Sequence, residues 1–202
     1  MTETILKIVL LGSFSSGKTS LIQSYVNKYF DAYQQPTIGV MFNNLELPQI
    51  DSKFSIHLWD TAGHERFNSI IPLYYHNTNI IIIVFDTTSP QYLQELTKWY
   101  GMIENNKALV IIVGTKTDLI TKRQLDIIKT SVSSWASTRS INSISYLSSK
   151  NIEEVSGFFE DTVTNCIVDN YIIDNQNSFR KNISKPIILD ICHKYVDKSC
   201  CF

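Results

Sequence analysis

Eight residues near the start of the chain, Gly12-Ser13-Phe14-Ser15-Ser16-Gly17-Lys18-Thr19, fit the spacing G-x-x-x-x-G-K-[ST], that of a loop that wraps phosphate groups. In such a loop the backbone N–H groups of Ser15, Ser16 and Gly17, continuing through Lys18, Thr19 and Ser20, converge on phosphate oxygens at a helix N-terminus. Lys18 would neutralise the β and γ oxygens, and the Thr19 hydroxyl would ligate Mg²⁺. A second cluster, Trp59-Asp60-Thr61-Ala62-Gly63, supplies a carboxylate at Asp60 that would hold Mg²⁺ through water. The backbone N–H of Gly63 could reach the γ-phosphate, a contact available only with a triphosphate bound. In the third, Gly114-Thr115-Lys116-Thr117-Asp118, the Asp118 carboxylate can accept two hydrogen bonds from N1 and N2 of guanine, groups that adenine does not offer. Ser148-Ser149-Lys150 could add a backbone donor to the guanine O6. The chemistry these residues suit is binding of a guanine nucleoside triphosphate with Mg²⁺.

Such residues must be held at the ends of strands, where open α/β sheets bind ligands. Short, nearly continuous apolar runs alternate with amphipathic segments, so the expected fold class is α/β, with parallel strands covered by helices on both faces. Strands are expected over 5–11, 41–47, 54–60, 79–86, 108–114 and 143–148, about six in all. The polar turn Gln49-Ile50-Asp51-Ser52-Lys53 makes the second and third a hairpin and gives the sheet one antiparallel edge. Helices are expected over 18–28, 92–105 and 124–138. A last helix opens on Asn151-x-x-Glu154, a capping-box signature, and its buried stripe would be Ile152, Val155, Phe158, Phe159, Val163 and Ile167. Beyond residue 170 the chain is richer in Asn, Asp, Ser and Lys and shows no further strand-helix repeat. The division expected is a nucleotide-binding domain over 1–169 and a flexible tail over 170–202.

Composition narrows the function classes. The 202 residues are 44% hydrophobic and carry 18 Lys+Arg against 19 Asp+Glu, a formal net charge of -1, so no global field draws the chain to nucleic acid or anionic lipid. The longest apolar run, Ile80 to Phe85, falls far short of the ~20 residues of a membrane span. The N-terminus lacks the features of a secretory signal, which implies a cytosolic chain. Four cysteines, two of them the adjacent Cys200 and Cys201, match neither a disulfide framework nor a zinc site.

Taken in order, the four sites and their spacing resemble those of the Ras superfamily of small GTPases, over about residues 5–168. Within it, Thr37-Ile38-Gly39-Val40-Met41-Phe42, Trp59-Asp60-Thr61-Ala62-Gly63-His64-Glu65-Arg66-Phe67 and Tyr74-Tyr75 are similar to the Rab branch. The resemblance implies the small-GTPase P-loop fold and a GTP/GDP switch in vesicle traffic. It implies that Thr37 coordinates Mg²⁺ when GTP is bound, that Phe30 packs across the guanine edge, and that His64, Gly63 and Lys18 surround the hydrolytic step. Phe42, Trp59 and Tyr74 would match an aromatic triad read by effectors, with ordinary core aromatics as the alternative. Implied partners are effectors, an exchange factor, a GTPase-activating protein, a prenylation escort and a GDP-dissociation-inhibitor-type chaperone, around a monomer. Cys200-Cys201 resembles a doubly prenylated end, although one residue after the pair is an uncommon spacing; two lipid chains anchor stably where one does not. The protein would then be cytoplasmic and reversibly anchored to the cytosolic face of intracellular membranes.

Three residues depart from the family pattern. His64 stands where most relatives carry Gln, and its short rigid ring alters the angles at which it can position the attacking water; a general-base role is the alternative. Phe14 stands where Ser or Gly is usual and sets a large ring beside the γ-phosphate, or else turns outward onto the surface. Thr115 replaces the Asn that bonds the guanine N7 and ties the base loop to the phosphate loop, so a weakened tie and faster exchange are expected. The first two imply slow hydrolysis, and a GTP-held, non-hydrolysing membrane adaptor is the competing reading. An adenine-nucleotide kinase on the same loop is opposed by Asp118 and by Asp60-Thr61-Ala62-Gly63.

Overall fold

A computed structural model of the chain describes residues 4–45, 54–63, 71–104 and 106–168. Six strands form one sheet: β1 (Thr4–Leu11), β2 (Val40–Leu45), β3 (Phe54–Thr61), β4 (Ile80–Asp86), β5 (Leu109–Thr115) and β6 (Ser143–Tyr146), in the order β2-β3-β1-β4-β5-β6. Only β2 with β3 is antiparallel, in the register Phe42↔Trp59 and Val40↔Thr61; every other pairing is parallel. The expected antiparallel edge is therefore present, while the turn expected at 49–53 lies outside the described residues.

The longest apolar run forms β4, buried at every position from Ile80 to Phe85. A strand is apolar on both sides only where both sides are covered. On one face Val9, Leu11, Ile81, Ile83 and Ile112 pack with Leu96, Trp99 and Ile103 of α3 (Tyr92–Ile103) and with Ile128, Val132 and Ala136 of α4 (Lys122–Ser137). The alternate residues Ile8, Leu10, Ile80 and Ile82 are equally buried, and α1 (Lys18–Val26) lies against β3 with Leu21, Ile22 and Tyr25 inward.

Two compact units divide the chain, Met1–Ser156 and Gly157–Phe202. The sheet and α1 to α4 belong to the first. In α5 (Ile152–Val168), Asn151 Oδ1 accepts from the Glu154 N–H at 3.2 Å, one half of the expected capping box, while the Asn151 N–H donates to the Ser148 carbonyl at 2.9 Å. Of the expected stripe, Val155, Phe159 and Val163 are buried, Ile152 and Phe158 are half-buried, and the Ile167 side chain lies outside the described residues. The tail beyond 168 lies outside them too.

Two elements differ from expectation. The short helix α2 (Ile71–Tyr75) was not foreseen, since five residues are too few to show a period. Helix α4 starts at Lys122 rather than 124 because Thr121 caps it: its hydroxyl accepts from the Gln124 N–H, and Gln124 Oε1 accepts from the Thr121 N–H at 2.9 Å. Polar residues at the opening of α4 hide its start from a reading of apolar spacing. Thr121→Ala should cost about 1 kcal/mol, measured as a lowered urea midpoint with an unchanged slope.

Candidate functional site

Four strand ends converge on one cavity of about 380 Å³. β1 delivers the phosphate loop, β3 delivers Asp60 and Gly63, β5 delivers Lys116 and Asp118, and β6 delivers Ser148 to Lys150. Of the residues expected from sequence to touch the nucleotide, Ser15, Ser16, Gly17, Lys18, Thr19, Ser20, Phe30, Thr37, Gly63, Lys116, Asp118, Ser148, Ser149 and Lys150 all line it. Thr115 does not; it is buried behind the wall. The segment Asp31, Ala32, Gln34, Gln35 and Pro36, together with Phe14, Thr61 and Leu119, completes the lining. Only the spacing between Phe30 and Thr37 could have signalled that segment.

The phosphate loop is fixed from beneath. Gly12 has φ +153, and a Cβ there would stand 2.1 Å from the carbonyl oxygen of Val84, so no side chain fits between loop and sheet. Lys18 folds back into the loop, donating to the carbonyls of Gly12 at 2.9 Å and Ser13 at 3.0 Å and to Ser16 Oγ at 3.4 Å. It is only 5% exposed. Burial pulls its pKa down to about 8 from 10.5, against the charges of Asp60 and Glu95, which favour the ammonium.

Beside it, three oxygens expected to face Mg²⁺ meet. Thr19 Oγ1 donates to Asp60 Oδ2 at 2.5 Å and lies 2.5 Å from Thr37 Oγ1, which is itself 3.3 Å from Asp60 Oδ2. The other carboxylate oxygen, Asp60 Oδ1, is buried without a hydrogen-bond partner. An ionisable oxygen left so is costly. A hard cation that takes oxygen ligands is what this donor set suits. Burial raises the Asp60 pKa, while the Thr19 hydroxyl, Lys18 and Thr37 oppose that shift. Among the described residues no three His, Cys, Asp or Glu side chains cluster as a metal site, in keeping with a centre built on one carboxylate and two hydroxyls.

At the opposite end, Asp118 is set for recognition. Ser148 Oγ donates to its Oδ1 at 2.7 Å, and Lys150 Nζ lies 2.7 Å from its Oδ2 and 5.9 Å from the Phe30 ring centroid. Partial burial raises the Asp118 pKa, but the bonds from Lys150 and Ser148 outweigh it and hold the group below the usual carboxylate range. The Ser149 carbonyl accepts from Ser24 Oγ at 2.6 Å, which pins this loop to α1.

One expectation is corrected here. The tie that Thr115 was expected to weaken is present: Thr115 Oγ1 donates to the Ser16 carbonyl at 2.6 Å, with the Phe85 carbonyl at 3.1 Å. A hydroxyl reaches because the two backbones already lie close. What the substitution removes is a group long enough to face the base. The sequence also gave no hint of Asp86, whose Oδ2 lies 2.6 Å from Lys116 Nζ and whose Oδ1 accepts from Thr88. Lys116 itself has a left-handed conformation at φ +59, unusual for a residue with a side chain.

Phe42, Trp59 and Tyr74 form a continuous strip. The Phe42 and Trp59 rings are 5.1 Å apart, those of Trp59 and Tyr74 5.8 Å apart, and Phe42 is 48% exposed. Phe14 lines the cavity and is 57% exposed. His64, Cys200 and Cys201 lie outside the described residues.

A family model described as the Ras family matches residues 7–169.

Because the folded, ligand-free chain releases the Lys18 proton near pH 8 and the unfolded chain near 10.5, this group adds stability as pH rises between those values and none below them. Phosphate oxygens against the ammonium raise the pKa again. Binding of a nucleoside triphosphate above pH 8 should therefore take up a proton, and affinity should fall by up to about tenfold per pH unit. Calorimetry in buffers of different ionisation enthalpy checks this, and binding without proton uptake at pH 9 would contradict it.

Proposed function

The chain belongs to the Ras family and is a small GTP-binding switch protein of the GTPase class; on that premise we propose that it is a Rab-type switch of vesicle traffic with slow hydrolysis. The observation that carries the site assignment is the single cavity along which Lys18, Thr19, Thr37 and Asp118 lie together. In this reading Asp118 selects guanine and the amides of the phosphate loop, with Lys18, hold the triphosphate. Thr19, Thr37 and Asp60 would hold Mg²⁺, which when bound neutralises charge on the β and γ oxygens. Thr37 and Gly63 sense the γ-phosphate from two segments that order when it is present. Water attacks the γ-phosphorus in line and the β–γ bridging oxygen leaves with GDP.

Ras-family proteins act through effectors, exchange factors and GTPase-activating proteins. Here the aromatic strip of Phe42, Trp59 and Tyr74 would meet effectors, and its partial exposure supports that role over a purely structural one. Residues 1–169 would form the nucleotide-binding domain. Residues 170–202 would form a tail prenylated at Cys200 and Cys201, handled by an escort and a GDP-dissociation-inhibitor-type chaperone, and placing the protein on the cytosolic face of intracellular membranes. Phe14 on the phosphate loop, and His64 next in sequence to Gly63, support long residence with GTP. A misplaced water costs on the order of 10²-fold, and a ring in the path of an incoming Arg would add to that. The second reading, a GTP-held adaptor that does not hydrolyse, is favoured by Phe14 lining the cavity.

Three experiments test these assignments. Chromatography of the nucleotide released on denaturing freshly purified protein should show mainly GTP, and mainly GDP contradicts slow hydrolysis. His64→Gln should raise single-turnover hydrolysis, and an unchanged rate contradicts the claim that His64 impairs it. Asp118→Asn should weaken GTP binding by roughly 10- to 100-fold, the worth of a hydrogen bond to a charged group; unchanged affinity in equilibrium titration removes Asp118 from the base site.

A further inference from the structure

Helix α3 reaches the phosphate loop through a buried side chain. Trp99 is 1% exposed, and its indole Nε1–H donates to Ser13 Oγ at 3.2 Å. A buried indole N–H usually has a partner, and here that partner is the phosphate-loop residue immediately before Phe14. Ser13 is also the most heavily used backbone position in the loop. Its carbonyl accepts from Lys18 Nζ at 3.0 Å and from the Ser16 N–H at 3.2 Å. Gly63 abuts the same point: a Cβ there would stand 2.5 Å from the Ser13 carbonyl carbon and oxygen. One turn earlier on the same face of α3, Glu95 accepts from Ser89 Oγ at 2.8 Å, and its carboxylate favours the Lys18 ammonium.

We propose that Trp99 is a positioning residue for the phosphate-binding arm: through Ser13 it sets where the loop presents Lys18 and where Gly63 comes to rest. The inference rests on the assignment of Lys18 and Gly63 to the γ-phosphate side. Ser13 has three neighbours that matter to a triphosphate: Lys18, Phe14 and Gly63. A small shift of Ser13 moves all three, whereas Asp118 and Ser148 lie in the segments that follow strands β5 and β6. Loss of the indole bond should then loosen a triphosphate more than a diphosphate. A tryptophan that merely filled the core would, once weakened, affect both nucleotides alike.

The test uses the full chain with Trp99→Phe, which keeps a buried ring and removes the N–H, with Ser13→Ala, with Ser13→Thr, and with the Trp99→Phe/Ser13→Ala pair. Release of fluorescently labelled GDP and of a labelled non-hydrolysable GTP analogue is followed by stopped flow with Mg²⁺ present. Trp99→Phe and Ser13→Ala should each speed release of the GTP analogue by roughly fivefold to tenfold, the worth of one hydrogen bond, with a clearly smaller effect on GDP. The pair should be no faster than either alone, and Ser13→Thr, which keeps the hydroxyl, should match the wild type. Equal acceleration of both nucleotides, additive effects, or unchanged rates would overturn the proposal. Should Trp99→Phe fail to fold, Ser13→Ala against Ser13→Thr decides the same question, since Ser13 is only partly buried. A wild-type chain that binds neither nucleotide overturns the reading of the site, and this inference with it.

Discussion

The constraint on which the rest of the site depends is the buried ammonium of Lys18. A cation taken from water without a full counter-charge is unfavourable unless it is hydrogen-bonded and paired. Here two carbonyls and a hydroxyl surround it, and Asp60 lies close enough to act on it electrostatically. Those carbonyls are free to turn inward because the loop departs from strand and helix geometry between Leu11 and Lys18. The same departure leaves the first amides of α1 without partners in the helix. The ammonium and these amides are both complemented by one anion, such as a phosphate. Asp60, with one orphaned oxygen, is complemented in turn by a cation.

How much of this could be read from sequence depended on whether the determinant was local. The six strands were legible because a parallel sheet covered on both faces leaves uninterrupted apolar runs such as Ile80 to Phe85. The phosphate loop was legible because its chemistry needs fixed residue types at fixed spacing. Asp118 was legible for the same reason. Asp86 and Trp99 were not, because each acts on a residue tens of positions away: Lys116 lies 30 residues from Asp86, and Ser13 lies 86 residues from Trp99. Only the pairing of β1, β4 and β5 with the packing of α3 brings such partners together. The cap at Thr121 was missed for a different reason. Its signal lies in polar residues, and the expected helix start was placed by apolar spacing.

Thr115 shows how a substitution judged by side-chain length alone can mislead. Asparagine carries its donor further than threonine, and from sequence the shorter group implies a weakened link between base loop and phosphate loop. The hydroxyl nevertheless reaches the Ser16 carbonyl, because Gly17 on one side and the end of β5 on the other leave the two backbones nearly in contact. A Cβ at Gly17 would stand 3.1 Å from Thr115 Oγ1. The link therefore depends on the packing of two main chains, and the side chain at 115 only closes it.

The edge ladder between β2 and β3 has a mechanical consequence. Thr37 lies three residues before Val40, and Gly63 lies two residues after Thr61, the pair that ends the ladder; beyond it the Ala62 N–H still bonds to the Gly39 carbonyl at 2.8 Å. A strand pair cannot stretch or slide by fractions. A slip of one residue turns every side chain to the opposite face, which would carry Phe42 away from Trp59. Displacement at one end of the ladder thus cannot dissipate along it as a gradient. The paired stretch anchors two short segments that leave it side by side at the same end, Ile38–Gly39 and Ala62–Gly63, joined by the Ala62–Gly39 bond, so movement is confined to the few residues that flank the cavity.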